Sequence, residues 1–258
     1  MTPAEPLPRK KLPIGIQTFS EIRQEGHYYV DKTPLILQLI DQGKYYFLSR
    51  PRRFGKSPLL DTIAELFEGR RELFAGLHAE QHWDWSKTFP VIRISFSDGV
   101  LRSLPALEEK IRELLRAQQK RHGIECHNTS ISGWLAELIQ QLHERSGQRV
   151  VVLIDEYDKP ILDNITDPDT ARQMRDGLRN LYSVLKGQDA NIRFAMLSGV
   201  SKFSKVSLFS GLNNLRDITV STEYSALCGY TDEDVDTVFA PELPGLDRDE
   251  IRRWYNGY

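Results

Sequence analysis

What the chain lacks narrows its chemistry first. It has only two cysteines in 258 residues, Cys126 and Cys228, far apart and in no metal-ligand spacing. Neither a disulfide framework nor a cysteine-based metal centre is expected, and two unpaired packing thiols suit a reducing, cytoplasmic setting. His78 and His82 are four apart, but they sit in a tryptophan-bearing connection with no third ligand nearby, so no zinc site is expected. No Ser-centred nucleophile elbow is present. No apolar run approaches the ~20 residues of a membrane span. The first 12 residues are proline-rich and basic without an apolar core, which reads as a disordered lead-in and not as a secretion signal. A net charge of −2 gives no general attraction to nucleic acid or anionic membrane. Internal repeats and low-complexity segments are missing too.

What is present is ordinary in bulk, with 40% apolar and 27% charged residues, and long enough for one large domain or two small ones. One stretch is not ordinary. Residues 45–49 (YYFLS) read as a short apolar strand, followed by Arg50, Pro51, Arg52, Arg53, Phe54, Gly55, Lys56 and Ser57. Leu59, Leu60, Ile63, Leu66 and Phe67 then recur at helical spacing. Strand, loop, Gly-Lys-Ser and helix make up a phosphate-binding loop, in which free backbone N–H groups at a helix N-terminus face an anion. The usual pattern places a glycine where this chain has Arg50, and Pro51 fixes a further φ.

The remaining elements alternate. Residues 13–19 and 28–33 look extended. Thr33 and Pro34 open a helix as N-cap and first residue, ending near Gly43. Strands are expected at 91–96, 149–154, 192–198 and 217–221, and helices at 104–121, 130–145 and 169–187. Two short helical patterns at 231–240 and 247–255 follow. Residues 13–222 are assigned to the main domain and 223–258 to the start of a helical C-terminal portion that looks truncated. Strands alternating with helices predict an α/β fold, a three-layer sandwich around a mostly parallel sheet of about five strands. Ligands bind such sheets outside the carboxyl ends of the strands.

Three strand ends carry polar residues suited to that place. Lys56 would meet the β- and γ-phosphates and Ser57 would hold Mg²⁺. Asp155, ending an apolar run, is the second magnesium ligand, since a phosphate-bound Mg²⁺ needs few protein oxygens. Glu156 would orient or deprotonate the attacking water. Ser198 would contact the γ-phosphate or that water, or alternatively cap the turn at Gly199. Arg50, Arg52 and Arg53 read either as guanidinium forks for phosphate or as basic surface. Lys202, Lys205 and Arg216 are candidates for stabilising transition-state charge, with a surface role as the alternative, whereas Arg193 lies at the wrong end of its strand. Phe19 or Tyr28 would stack on the base if neither belongs to the core. The basic run Arg112, Arg116, Lys120 and Arg121, interleaved with Glu108, Glu109 and Glu113, reads as a solvated helix face.

With these residues assembled, the chain resembles the prokaryotic AAA-ATPase-like family. The matching segments are PIGI (13–16) with Phe19, YYVDKT (28–33), RPRRFGKS (50–57), VVLIDEYDKPI (151–161), LSGVSKFSKVSLFSGLNNLRDIT (197–219), LCGYTDEDV (227–235) and WYNGY (254–258), in order and nearly end to end. RPRRFGKS is itself the family's habit, so Arg50 looks like a variant of the phosphate loop and not a decayed one. The resemblance implies an ATP-binding P-loop domain of the additional-strand type, with the Asp-Glu strand and the sensor strand beside the phosphate-loop strand. It matches Lys56 and Ser57 to the phosphate loop, Asp155 and Glu156 to the second acidic motif, and Ser198 to a position usually Thr or Ser. Pro58 departs from it, standing where similar sequences have a helix former. Relatives often continue into a restriction-endonuclease-like nuclease, for which these residues offer no acids.

The resulting expectation is a Mg²⁺-dependent ATPase that couples its nucleotide state to an attached or partner module, nucleic acid or protein, or to further copies of itself. A nucleotide-gated DNA- or protein-binding module with negligible turnover is the alternative. A phosphotransferase would need an acceptor site that the sequence does not offer.

Overall fold

A computed structural model of the chain describes residues 9–201 and 215–255. Five strands, β1 (Tyr45–Ser49), β2 (Val91–Ser95), β3 (Val150–Asp155), β4 (Ile192–Gly199) and β5 (Arg216–Asp217), form one sheet in the order β2-β3-β4-β1-β5, with every pairing parallel. The helices before the last strand are α1 (Phe19–Gln24), α2 (Thr33–Gln42), α3 (Lys56–Phe67), α4 (Ala79–His82), α5 (Leu104–His122), α6 (Ile131–Ser146), α7 (Lys159–Leu162) and α8 (Pro168–Gly187).

β1 and β3, inside the sheet, read as unbroken apolar runs because they have no wet face. In β3, Val150, Val152 and Ile154 join a core with α5, α6 and α8, while Val151 and Leu153 join a second core with α2 and α3. In β1, Tyr45 and Phe47 belong to the first core and Tyr46 and Leu48 to the second. Helices on both faces remove the alternation of polar and apolar residues that a half-exposed strand would show. The chain is therefore an α/β three-layer sandwich of the P-loop NTPase type.

Several local expectations are corrected. The fifth strand is only two residues long and begins one residue early. Asp217 Oδ1 accepts the Thr219 N–H at 2.9 Å and turns the chain, and Thr219 Oγ1 takes the Ser49 N–H at 3.0 Å in place of a ladder carbonyl. Residues 13–18 form no strand, and Gly15 takes φ 78° in a turn. Thr33 is the first residue of α2 and not its cap. Its hydroxyl donates to Asp31 Oδ1 at 2.7 Å and accepts the Ala79 N–H at 3.0 Å. Part of the expected lead-in is placed, since Lys11 pairs with His27 in an isolated parallel bridge. Nor does the core stop at residue 222, because Tyr224, Leu227 and Cys228 pack into the second core.

Candidate phosphate-binding site

The carboxyl ends of β1, β4 and β3 lie side by side, and each launches part of the site. β4 runs between the other two, so Ser198 stands between the phosphate loop and the Asp-Glu pair. Of the two strands expected beside β1, only the Ser198 strand is its neighbour.

The loop after β1 closes on itself through Lys56. The Lys56 ammonium donates to the carbonyls of Arg50 at 3.0 Å and Pro51 at 2.9 Å, and the residue is only 7% exposed. Burial pulls its pKa below the ordinary lysine value, an effect opposed by Asp155, Cys228, Glu156 and Asp158. Gly55, at φ 85°, precedes α3, so the first N–H groups of the helix face the loop with no intrahelical partner. Arg53 also takes a left-handed φ of 63°. Among the described residues, Arg53 and Glu156 (φ 50°) are the two non-glycine residues with positive φ. Such conformations cost about 1–3 kcal/mol each and persist where the surroundings impose them, commonly at functional sites.

Arg50 does not need the freedom of the missing glycine, because its φ is not positive. Its N–H donates to Gly199 O at 3.1 Å, and its guanidinium turns away from the loop, donating to the carbonyls of Thr219 and Ser49. Arg50 thus ties the phosphate loop to the exit of β5, while Arg52 and Arg53 stand exposed at the loop rim. Pro58 is the third residue of α3 and leaves the helix intact, with Leu59 N donating to Gly55 O at 3.1 Å. Proline is tolerated there because that N–H has no helical acceptor.

The acidic side converges on one carboxylate. Asp155 Oδ2 accepts the Ser57 hydroxyl at 2.5 Å. Its Oδ1 accepts the hydroxyl of fully buried Ser198 and the Glu156 N–H at 2.9 Å. Ser198 is therefore directed at Asp155, and its backbone carbonyl receives the Tyr157 N–H at 3.0 Å. Glu156, half-buried, has its pKa raised by burial and by the neighbouring Asp155 charge, partly offset by Lys159, Lys56 and Arg52. A hydroxyl and a carboxylate oxygen converging from two elements are hard donors of the kind Mg²⁺ takes when phosphates and water fill the rest of its octahedron. Ser57 and Asp155 fit that ion.

Other candidates are placed elsewhere. Phe19 is fully buried in the second core, and Tyr28 is packed 5.3 Å from Phe239 with its hydroxyl on Glu242 at 3.0 Å, so neither ring offers a face to a base. Arg216 opens β5 at the amino edge of the sheet, opposite the site, and bonds Gln42 and Glu223. Lys202 and Lys205 lie outside the described residues. His78 and His82 stack face to face at 3.7 Å, and no cluster of three metal-binding side chains occurs among the described residues. On α5, Arg112 bonds Thr129 O, and Arg116 and Arg121 pair with Glu109 and Glu68, as a solvated face would. No described helix is long and apolar enough to cross a membrane.

Sequence reasoning missed two contributors. Gly229, at φ 75°, lies against the phosphate loop, where an added Cβ would come within 2.8 Å of the Phe54 ring. Its neighbour Cys228 is a packing residue as expected, with its thiol pushed up to about 12 by burial, yet it lies near Lys56 and Arg50. The presence of LCGY beside a charged helix start was the available signal. The second contributor, Asp158, was visible as another acid in the DEYD run.

The predicted AAA-ATPase family matches residues 13–209. The chain belongs to this family. Membership implies nucleotide binding, which the phosphate loop can serve. The chain is also 66% identical over 251 residues to an "Uncharacterized protein in vnfD 5'region" of Azotobacter chroococcum mcd 1, a match covering 97% of this chain and 49% of that protein. It thus spans about half the length of this curated relative. No solved structure matches the chain.

Proposed function

We propose that this chain is a Mg²⁺-dependent ATPase domain whose nucleotide state governs a partner or an attached module, with nucleic acid as one candidate partner. The observation that carries the reading is the convergence of Ser57 and Ser198 on the two oxygens of Asp155, next to a strained Glu156 that takes no hydrogen bond on its carboxylate among the described residues.

In this mechanism Lys56 leaves the carbonyls of Arg50 and Pro51 and follows the β- and γ-phosphates, while the N–H groups at the start of α3 hold the phosphate oxygens. Ser57 and Asp155 would hold Mg²⁺, which supplies charge neutralisation of the phosphates when bound. Ser198 fixes one oxygen of Asp155. Glu156, with its raised pKa, is suited to receive a proton from the attacking water. Arg52 and Arg53 are exposed at the loop rim and would meet the outer phosphate charge.

The test is phosphate release from ATP by the purified chain, with and without DNA and with Mg²⁺ or EDTA. Magnesium-dependent release that disappears in Glu156→Gln supports the reading; unchanged release in that variant overturns the assignment of Glu156. Nucleotide binding without release, together with salt-sensitive DNA binding, would favour the gated binding module instead.

A further inference from the structure

The acidic run after β3 contains a buried carboxylate that the hydrolytic mechanism does not use. Asp158 is 1% exposed. Its Oδ2 accepts the Ser201 N–H at 2.6 Å, the Ser201 hydroxyl at 2.7 Å and the Val200 N–H at 3.1 Å. All these donors belong to the two residues that leave β4. The adjoining Tyr157 reinforces the junction, with its hydroxyl on Ser201 O at 2.8 Å and its N–H on Ser198 O at 3.0 Å. Gly199 makes the close approach feasible, since a Cβ there would lie 2.3 Å from the Tyr157 ring and 2.5 Å from Asp158 Oδ1.

A carboxylate this buried costs free energy that its hydrogen bonds must offset. What it holds is the register of β4 against β3 just past Ser198, the residue that donates to Asp155 Oδ1. A shift at Val200 and Ser201 would carry Ser198 with it and release one oxygen of Asp155, whose other oxygen meets Ser57.

We propose that Asp158 is a positioning residue for magnesium binding: by clamping Val200 and Ser201 it seats Ser198 on Asp155 and keeps the Asp155 carboxylate turned toward Ser57. The proposal rests on the nucleotide-binding reading of the site and extends it to a residue that touches neither nucleotide nor metal.

The experiment measures the ATP dissociation constant of the whole chain in Mg²⁺ and in EDTA, with phosphate release and melting temperature alongside, for wild type, Ser201→Ala and Asp158→Asn. The ratio of the two constants is the gain in affinity from magnesium. That gain should fall about tenfold in Asp158→Asn, where an amide would face N–H donors, and about threefold in Ser201→Ala, which loses one hydroxyl. Affinity in EDTA should change by no more than about twofold, since Lys56 and the loop are untouched. A merely structural residue would lower the melting temperature and weaken binding equally in both media; that result, or an unchanged magnesium gain, overturns the proposal. If Asp158→Asn does not fold, Ser201→Ala decides alone. Wild type that gains affinity with magnesium but releases no phosphate would defeat the hydrolytic reading and leave the positioning test readable. Wild type with no magnesium gain defeats both.

Discussion

Ser57 and Asp155, 98 positions apart, meet through a 2.5 Å hydrogen bond from the hydroxyl to the carboxylate. That contact joins the phosphate loop to the strand two places away in the sheet, across the end of β4. In the proposed mechanism these two oxygens, hard donors at element ends, are the ones that would hold Mg²⁺.

Lys56→Ala tests the phosphate loop itself. The ammonium bonds only the carbonyls of Arg50 and Pro51 among the described residues, so its removal does not open the core. A charge-assisted hydrogen bond contributes about 1.5–3 kcal/mol, which corresponds to an ATP affinity weaker by roughly 10- to 100-fold. Titration calorimetry reads the affinity, and a thermal melt close to wild type confirms that the loss is local.

Glu156→Gln separates binding from turnover and carries a pH signature. Its folded pKa is raised from the ordinary 4.5, first by burial and then by Asp155, so the folded chain holds this proton more tightly than the unfolded one. The stability it contributes is full below pH 4.5 and is lost as pH rises through the raised folded value. A neutral glutamine removes that loss, so the variant should melt above wild type near neutral pH, with the difference closing in acid. In the proposed mechanism Glu156 acts as its base form, so wild-type turnover should fall on an acidic limb displaced upward from the ordinary glutamate value. ATP should still bind the variant while phosphate release disappears. Thermal melts across pH and a pH–rate profile check both halves.

Much of this was legible in the sequence, for reasons that differ by element. β1 and β3 announced themselves because burial on both faces forces unbroken apolar runs, and Lys56, Ser57, Asp155 and Glu156 follow directly from those strand ends. β5 was misjudged because side chains, those of Asp217 and Thr219, replace ladder bonds there, and such replacement leaves no periodic trace. Position alone left Arg50 open between phosphate ligand and basic surface; its guanidinium bonds the Ser49 and Thr219 carbonyls because the turn after β5 brings Thr219 alongside it. Phe19 and Tyr28 read as core residues with base stacking as the alternative, and their packing on Phe74 and Phe239, distant in sequence, decides for the core. Contacts made across more than a hundred residues were the least visible. For those of Gly229 with Phe54 the LCGY run is the one local trace.

Pro58→Ala should move affinity and stability in opposite directions. Alanine restores an N–H in the first turn of α3, where such groups have no helical acceptor and point toward the phosphate loop. One added donor to an anion should tighten ATP binding by about tenfold. Losing proline frees the unfolded chain and costs roughly 0.4–1 kcal/mol of stability. Calorimetry and denaturant unfolding on the same preparation read the two effects, and a change of the same sign in both would refute this account of the residue.

Gly229→Ala asks whether the segment after β5 acts on the phosphate loop. The added methyl would lie 2.8 Å from Phe54 Cε1, and the φ of 75° strains any residue with a Cβ. Both effects lower stability, so a control must carry the strain alone. Gly245 supplies it, at φ 87°, where an added Cβ would meet nothing within 4 Å. Each substitution should cost about 1–2 kcal/mol through its backbone. Only Gly229→Ala displaces Phe54, which precedes Gly55 and Lys56 in the loop, and only it should weaken ATP binding, by about threefold or more. Equal ATP affinities for the two variants would show that the C-terminal segment covers the loop without influencing it.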